Sequence, residues 1–571
     1  MNYMLNKYLD RVEFDSYEDF KNNYKLTYPD DFNFGFDIVD GWAEAEPEKR
    51  ALVWCDDHGH DAVFTFTDVK KQSNKIANYL KKLGLKKGDS VLLILKRRYE
   101  YWFTVTACHK LGIIAIPATF QLTKKDIVYR VNKIGIDMAI CADDPYVIEQ
   151  INLSKPDCPS LKYTAKLGGK ADGWLDFTEG YTAESDELER PSGEDKVYAN
   201  DPMLMYFTSG TTGMPKLVQH VQSYPLGHIL TAKYWQQVRE NGLHLTVADS
   251  GWAKFSWGKI YGQWIAGSAV MGYDMDKFIA ANLMRVIEKY KVTTFCAPAT
   301  MYRFMIKEDL SEFDLSSVQH FSMAGEPLNP SVMEAWQKIT GHRIYEGFGQ
   351  TESVVIMANY QWSAPRPGST GKPAASFNIK IMREDGTPCD IGEEGEIVVV
   401  GAKENRPTGL TVGYYQDDEA NERLWRGGNY HTGDNAWYDS DGYIWFVGRN
   451  DDVIKCSGYR IGPFEVESAI MTHPSVLECA VTAAPDPVRG QVVKASIILA
   501  KGYEPSEELK KEIQNHVKKV TAPYKYPRIV EFVKELPKTT SGKIMRGEIR
   551  KQNREQAAGE KGSAAQVISN R

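Results

Sequence analysis

Residues 203–216, MLMYFTSGTTGMPK, place an apolar strand directly before a loop rich in glycine and hydroxyl side chains. Between Thr208 and Lys216 the loop has four hydroxyls, two glycines and one lysine. Glycines let consecutive backbone N–H groups point to one side, hydroxyls add donors, and lysine adds a positive charge. The loop is therefore suited to wrapping a polyphosphate, and a Ser/Thr/Gly surface turn is the alternative interpretation.

The loop differs from the Walker pattern G-x-x-x-x-G-K-[ST]. Met214 and Pro215 separate Gly213 from Lys216, whereas the Walker lysine follows its glycine directly. The sequence therefore predicts a phosphate loop of another kind.

Upstream, the hydrophobic pattern predicts a β-α-β unit. Its first strand, helix and second strand are expected over 91–95, 101–110 and 113–116, and an amphipathic helix over 69–83 precedes them. Similar alternation continues to about residue 360 and predicts α/β layers, interrupted by an irregular surface excursion over 166–200.

After Gly395 the pattern changes to short strands, such as 396–400 and 442–447, separated by Gly, Asp and Asn turns. This pattern predicts an antiparallel, β-rich subdomain. A small unit then begins near Asp451, with a helix capped by Ser506 and a strand over 529–533.

The length of 571 residues exceeds what one core supports, and 42% apolar with 25% charged residues is ordinary globular usage. We expect a large N-terminal domain over 1–449, a small α+β domain over 450–551 and a disordered tail over 552–571.

The net charge of −7 gives no general attraction for nucleic acid. The eight cysteines are scattered without metal-type spacing, which predicts free buried thiols, no disulfides and no zinc. The N-terminus lacks a targeting pattern and no stretch approaches eighteen apolar residues, so we predict a cytoplasmic protein without a transmembrane segment.

Five further motifs follow the loop in order: AGEP (324–327), YEGFGQTE (345–352), HTGD (431–434), GRNDDVIKCSGYRIGPFEVE (448–467) and PKTTSGKIMR (537–546). Together with the loop they resemble the signature of the adenylate-forming superfamily of acyl-CoA synthetases, luciferases and adenylation domains. The resemblance covers about 65–550. It implies a large α/β domain with a β-rich subdomain and a small, mobile C-terminal domain.

The resemblance implies an ATP site built from the loop and the later motifs. Its implied residues are Thr208, Ser209, Gly210, Thr211, Thr212, Gly213, Met214, Pro215, Lys216, Gly325, Glu326, Pro327, Glu346, Gly347, Phe348, Gly349, Gln350, Thr351, Asp434, Arg449, Arg460 and Lys543.

Three of the implied residues are catalytic in the resembling enzymes. Glu352 would hold Mg²⁺, Thr351 would contact the α-phosphate, and Lys543 would reach the α-phosphate and the carboxylate during adenylation. Asp434 and Arg449 would bind ribose. Surface turns and salt bridges are the alternative explanation for each residue taken alone.

Asp451 occupies the position of the hinge about which the small domain rotates in the resembling enzymes, and Gly458 would then line the pantetheine tunnel. The coenzyme A site implied by the resemblance comprises Ser457, Gly458, Tyr459, Arg489, Lys518, Tyr526, Pro527 and Arg528, with Gln121 as a further nucleotide contact.

The acyl pocket is implied within 249–264 and near 347–349, from Trp252, Lys254, Phe255, Trp257 and Gly349. Acetate-specific relatives carry tryptophan at the position of Gly349, so glycine is expected to leave room for longer acids. The stretches 117–122, 484–495 and 521–528 look most like medium-chain acyl-CoA synthetases. Bulky aromatic residues in the pocket stretch keep short branched and aryl acids open.

The resemblance therefore predicts an AMP-forming acyl-CoA synthetase whose partners are ATP, coenzyme A and a carboxylic acid, with Mg²⁺ as cofactor. A homodimer is compatible with it. The alternatives are an aryl-acid ligase of the benzoate type, an enzyme that loads a carrier protein and, from another class, a non-catalytic nucleotide sensor.

Overall fold

A computed structural model describes residues 3–208, 214–362, 364–456, 459–486, 489–538 and 544–556, with only the main chain of Arg460. Its strands are β1 (Arg50–Asp56), β2 (Asp61–Thr65), β3 (Ser90–Ile94), β4 (Ile114–Pro117), β5 (Met138–Cys141), β6 (Tyr163–Lys166), β7 (Leu175–Asp176), β8 (Pro202–Thr208), β9 (Lys216–Val221), β10 (Leu243–Thr246), β11 (Ala269–Asp274), β12 (Thr294–Ala297), β13 (His320–Met323), β14 (Ile344–Phe348), β15 (Met357–Ala358), β16 (Lys372–Pro373), β17 (Ile379–Met382), β18 (Gly395–Val399), β19 (Gly413–Tyr414), β20 (Tyr430–Tyr438), β21 (Ile444–Arg449), β22 (Ile454–Cys456), β23 (Tyr459–Ile461), β24 (Val476–Asp486), β25 (Gly490–Leu499) and β26 (Ile529–Phe532).

The α-helices are α1 (Tyr17–Asn23), α2 (Gly41–Ala45), α3 (Phe66–Lys82), α4 (Glu100–Leu111), α5 (Lys124–Ile134), α6 (Pro145–Ser154), α7 (Phe177–Thr182), α8 (Tyr224–Ile229), α9 (Ala253–Gly258), α10 (Tyr261–Ile265), α11 (Ala280–Tyr290), α12 (Ala299–Met305), α13 (Pro330–Thr340), α14 (Asp418–Leu424), α15 (Pro463–Met471) and α16 (Glu507–Val520), followed by α17 over 546–556.

Two large sheets form the N-terminal part of the fold. One has nine strands in the order β16-β15-β14-β13-β12-β10-β11-β1-β2, and the other has eight in the order β19-β9-β8-β4-β3-β5-β6-β7. Buried residues of α3, α4 and strands of both sheets belong to one hydrophobic cluster. A four-stranded sheet of β17, β18, β20 and β21 and a C-terminal sheet of β22 to β26 complete the α/β fold.

The predicted β-α-β unit is present. Helix α3 starts with a capping box between Thr65 and Asp68, and α4 ends at Gly112, whose φ of 68° suits glycine. Strand β4 runs parallel to β3, as predicted. Every residue of α4 is buried, so packing on all sides fixes this helix rather than one apolar face.

The segment predicted as an irregular surface excursion contains α7. Phe177 and Tyr181 of this helix are buried, and the Phe177 ring lies 6.0 Å from the Tyr79 ring of α3. The prediction is therefore wrong for these residues, because aromatic burial orders a stretch whose overall composition is polar.

The C-terminal unit has the predicted helix, since Ser506 accepts a hydrogen bond from Leu509 N at the start of α16. The predicted tail over 552–571 needs correction at its start. Residues 552–556 continue α17, and the buried Asn553 accepts from Lys494 Nζ at 2.8 Å and donates to Thr482 Oγ1. Residues 557–571 lie outside the described residues.

All eight cysteines are buried and free. Across the described ranges, no helix is both long enough and apolar enough to cross a membrane.

Candidate functional site

The predicted phosphate loop closes a β-hairpin in the eight-stranded sheet. Strands β8 and β9 are antiparallel, and Thr208 pairs with Lys216 where the loop leaves the hairpin. Tyr129 donates to the carbonyl of Pro215 at 2.8 Å and so anchors the loop's end. Ser209, Gly210, Thr211, Thr212 and Gly213 lie outside the described residues.

Tyr414 connects the phosphate loop to the predicted Mg²⁺ ligand. Its hydroxyl donates to Glu352 Oε1 at 2.7 Å, and its ring centroid lies 4.7 Å from Lys216 Nζ. Burial and the neighbouring carboxylate raise the pKa of Tyr414, so the hydroxyl keeps its proton. The sequence motifs thus meet at a residue that sequence reasoning missed.

The position of Tyr414 is fixed by its main chain. Asn421 accepts from Tyr414 N at 2.7 Å and donates to Tyr414 O at 2.7 Å. Thr411 N donates to the carbonyl of Glu352 at 2.8 Å. These bonds hold the chain before and after Gly413 against Glu352.

His220 orients the residue predicted to contact the α-phosphate. Its Nε2 donates to the carbonyl of Thr351 at 2.8 Å, which identifies Nε2 as the protonated nitrogen, since a carbonyl only accepts. Burial lowers the pKa of His220 to about 4, so the imidazole is neutral at pH 7. Its ring stacks on Tyr224 with a centroid separation of 3.9 Å.

The two predicted ribose contacts face each other on neighbouring strands. Asp434 of β20 pairs in register with Arg449 of β21. Gln350 Nε2 donates to Asp434 Oδ2 at 2.5 Å, and Tyr430 donates to Gln350 Oε1 at 2.6 Å. Burial alone would lower the pKa of Arg449, but the charges of Asp434 and other nearby carboxylates raise it. Asp434 and Arg449 therefore form one charged patch.

The AGEP motif lies beside Lys254 and the C-terminal motif. Gly325 has a φ of 105°, and Lys254 Nζ donates to the carbonyl of Ala324 at 2.6 Å. Arg546 is held by Glu467 with two bonds of 2.7 Å, and the charge of Glu326 also helps to raise the pKa of Arg546 against the effect of burial. Arg546, at the end of the segment that carries Lys543, is therefore within electrostatic reach of Glu326, whereas Lys543 itself lies outside the described residues.

Gly349 does not leave the predicted room. A Cβ added there would lie 2.3 Å from Trp257 Cη2 and 2.4 Å from the carbonyl oxygen of Val354. The Trp257 indole thus occupies the space that a side chain at Gly349 would take. The space beside Gly349 that was expected to be free is therefore filled by an indole from α9.

The other predicted pocket residues do not all converge on Gly349. Phe255 is fully buried against Tyr101 and Trp102, with ring centroids at 4.7 and 5.1 Å, so it faces α4. Trp252 precedes α9 and is half-buried. Gln121, which was predicted as a nucleotide contact and not as a pocket residue, lies in the exposed turn before α5.

Glu346 is buried on β14, and burial raises its pKa to about 8. Its Oε2 makes no hydrogen bond within the described part of the chain. Next to it, a Cβ at Gly347 would lie 2.5 Å from Trp235 Cε2, so glycine is needed for this close approach.

The predicted coenzyme A residues include a basic and aromatic cluster. Lys518 Nζ lies 4.1 Å from the Tyr526 ring centroid, and Arg528 donates to the Tyr526 hydroxyl at 2.8 Å. Tyr459 stacks on Tyr524 at 4.2 Å, a partner that sequence reasoning missed.

The next residues are further predicted contacts of coenzyme A and ATP. Pro527 accepts from Gln514, and Arg489 donates its main-chain N–H to Asp486. Ser457, Gly458 and the side chain of Arg460 lie outside the described residues.

Comparison with known proteins places these features in a family. The AMP-binding enzyme family matches residues 39–415, and the AMP-binding enzyme C-terminal domain matches residues 465–543. The chain therefore belongs to the AMP-binding enzyme family, and the predicted family and α/β fold are confirmed.

Individual relatives narrow the class. The chain is 40% identical to "Acyl-coenzyme A synthetase ACSM3, mitochondrial" of Rattus norvegicus over 94% of this chain and 93% of that protein. It is 42% identical to "Acyl-coenzyme A synthetase ACSM4, mitochondrial" of Homo sapiens over 92% and 91% of the two chains. The structure matches the anthranilate CoA ligase AuaEII in complex with anthranoyl-AMP with a TM-score of 0.85 and 29% identity, covering 93% and 99%.

Proposed function

We propose that this chain is an AMP-forming acyl-CoA synthetase that converts a carboxylic acid, ATP and coenzyme A into acyl-CoA, AMP and pyrophosphate. The observation that carries the proposal is the meeting of Lys216 and Glu352 at Tyr414. The relatives named acyl-coenzyme A synthetases confirm the predicted enzyme class, an acid–thiol ligase.

In the first step, the acid's carboxylate attacks the α-phosphorus of ATP and pyrophosphate leaves. Lys216 and the loop hold the phosphates, while Thr351, oriented through His220, contacts the α-phosphate. Asp434 and Arg449 bind the ribose, and Lys543 neutralises charge on the reacting phosphorus. Holding both reactants in place can supply roughly 7–11 kcal/mol of the barrier, so no covalent enzyme intermediate is needed.

Glu352 fits the predicted role of Mg²⁺ ligand. Mg²⁺ is usually held by one or two carboxylates plus substrate phosphates. Tyr414 orients one carboxylate oxygen, and no described donor bonds the other. Among the described residues no group of three or more His, Cys, Asp or Glu side chains could hold a metal, which suits an ion brought by the nucleotide. When bound, Mg²⁺ neutralises phosphate charge.

In the second step, the small domain rotates about Asp451, and the coenzyme A thiolate attacks the acyl carbon and releases AMP. Gly458 lines the pantetheine path in this proposal. Lys518, Tyr526 and Arg528 offer two cations beside one aromatic ring, a suitable surface for the coenzyme A nucleotide.

For the acid, we propose medium-chain or short branched fatty acids. The Trp257 indole beside Gly349 limits the depth of the pocket and favours acids of limited length. An aryl acid is the second candidate, favoured by the fit to a solved anthranilate CoA ligase. A cytoplasmic location and a homodimer remain predictions; the curated relatives carry "mitochondrial" in their names.

The deciding experiment is pyrophosphate release with acids from acetate to decanoate, isobutyrate and benzoate, with and without coenzyme A. We expect acyl-CoA and AMP with at least one acid. Adenylate formation that proceeds only to a carrier protein would favour the carrier-loading alternative, and nucleotide binding without turnover of any acid would favour the sensor.

The role of Lys543 is tested separately. Lys543→Ala is expected to abolish adenylation and to leave thioester formation from supplied acyl-AMP largely intact. Equal loss of both steps would contradict the two-arrangement scheme.

A further inference from the structure

The carboxylate of Asp451 is shared between the two sides of the chain that it joins. Its Oδ1 lies 3.4 Å from Arg449 Nε, at the end of β21 in the large domain. Its Oδ2 lies 3.2 Å from Arg550 Nη2, on α17 of the small domain. One side chain thus has a cationic partner on each side of the proposed hinge.

Arg550 is held in place by a second carboxylate. Its Nη1 bonds to Asp452, and the side chains of Arg550 and Asp452 are only 12% and 10% exposed. Asp452 N donates to the carbonyl of Arg449 at 3.0 Å. The guanidinium fork therefore spans two consecutive acidic residues immediately at the hinge, in a partly desolvated place where removing one partner leaves the other charge unpaired and costs more than on the surface.

The two contacts of Asp451 behave differently when the domains move. Asp452 and Arg550 both lie beyond residue 451, so their bond travels with the small domain. Arg449 lies before residue 451 and stays with the large domain. Rotation about Asp451 must therefore break or re-form at least one of the contacts that its carboxylate makes.

In this structure the small domain packs beside AGEP: Asn329 Nδ2, two residues after that motif, donates to the carbonyl of Ser468 on α15 at 3.4 Å. Arg546 of the C-terminal motif is held on the same domain by Glu467, and the charge of Glu326 in AGEP helps to raise the pKa of Arg546. The proposed adenylating arrangement has the same feature, since Lys543 must reach the α-phosphate.

We propose that Arg550 is a positioning residue that, through Asp451 and Asp452, holds the small domain in the adenylating arrangement and so sets the balance between the two steps. This inference rests on the proposed rotation about Asp451. It assigns to α17 a role in timing the release of the small domain.

The first test measures the domain arrangement without any substrate. Spin labels on Glu404→Cys and Glu508→Cys would report the distance between exposed sites on the two domains, since all eight native cysteines are buried. We expect Arg550→Gln to add a second distance population, and Lys551→Gln, an exposed neighbour on α17, to match the wild type. An unchanged distance distribution for Arg550→Gln would overturn the proposal.

The second test measures the rates of adenylation and of thioester formation separately. For Arg550→Gln we expect adenylation to slow by roughly fivefold, because the hinge contact that is lost has a 35% exposed carboxylate at Asp451 and is close in strength to a surface ion pair, while thioester formation from supplied acyl-AMP is not slowed. Arg550→Lys should recover part of the loss. Equal slowing of both steps would indicate a merely structural role.

Two controls keep the outcome decisive. High salt should shift the wild-type distance distribution toward that of Arg550→Gln and change the variant less, because salt screens ion pairs. If Arg550→Gln fails to fold, Asp451→Asn weakens the contacts of Asp451 with Arg550 and Arg449 while it leaves the Arg550–Asp452 bond in place, and it should give the same second population; a wild-type distribution in Asp451→Asn would count against the proposal. An enzyme inactive with every acid would refute the proposed function, while the distances would still test Arg550.

Discussion

Replacing Trp257 by leucine should lengthen the acid that the enzyme prefers. Trp257 is 5% exposed, and its Cη2 lies only 2.3 Å from the position that a Cβ at Gly349 would take. Leucine lacks the bicyclic ring, and we take the volume that this frees as enough for about two further methylene groups of the acid. Each buried methylene contributes about 0.8 kcal/mol, roughly fourfold, so two methylenes correspond to roughly 15-fold.

The assay is kcat/KM for butyrate, hexanoate, octanoate and decanoate, measured by pyrophosphate release with coenzyme A present. For Trp257→Leu the ratio of the longer to the shorter acid should rise by up to roughly 15-fold. The Trp257 ring also packs edge-on against Trp235, with centroids 6.2 Å apart. The variant should therefore lose roughly 3 kcal/mol of stability, and the comparison is made well below its unfolding temperature.

Trp174→Leu is the matched control, because Trp174 precedes β7 at the edge of the eight-stranded sheet. It should lose stability without any change of chain-length preference. Gly349→Ala should be inactive toward every acid even with Leu at 257, because its Cβ would still meet the Val354 carbonyl oxygen at 2.4 Å. An identical chain-length profile for Trp257→Leu and wild type would refute the assignment of this indole to the pocket.

Three further predictions concern the site and the C-terminal helix. Tyr414→Phe removes a hydrogen bond to a carboxylate, about 1.5–3 kcal/mol, so adenylation should fall roughly 10- to 100-fold and require more Mg²⁺; unchanged Mg²⁺ dependence would refute the role of Tyr414. Because the folded-state pKa of Glu346, about 8, exceeds the ordinary value of 4.5, the folded chain binds more protons between these pH values, and stability should fall as pH rises through them. Glu346→Gln should flatten this dependence in urea unfolding at pH 5 and 8. Asn553→Ala removes one acceptor of the Lys494 ammonium, which keeps Glu531 at 2.8 Å and Gln556 at 3.3 Å, and should lower the unfolding free energy by about 0.5–1.5 kcal/mol in the same assay, whereas an unstructured residue would give no change.

Local patterns were sufficient to predict the elements on which the ATP site stands. The β3-α4-β4 unit and the cap at Ser506 follow from hydrophobic periodicity and cap chemistry within a few residues. Hydrophobic periodicity did not predict the structure where buried side chains lie in segments of polar composition. Phe177 and Tyr181 are buried in a segment of polar composition, and Asn553 is buried in a stretch that reads as a tail.

The motifs pointed to candidate substrate-binding residues but not to the residues that hold these candidates in place. Tyr414 belongs to no motif, and its contact with Glu352 joins residues 62 positions apart in the chain. The space beside Gly349 could not be read from its motif for the same reason, since it depends on a residue far away in the sequence. A motif position shows that a side chain is absent there, but only the packing shows that Trp257 has taken its place.

The hairpin of β8 and β9 makes the chemistry and the fold depend on one register. Strand β9 carries Lys216 at its start and His220 four residues later, and β19 adds Tyr414 opposite Val218. Since alternate residues of a strand face opposite sides, a slip of one residue in this pairing would displace Lys216, the donor to Thr351 and the partner of Glu352 together. The predicted phosphate loop therefore lies at one end of a ladder that sets the positions of Lys216, His220 and Tyr414 relative to one another.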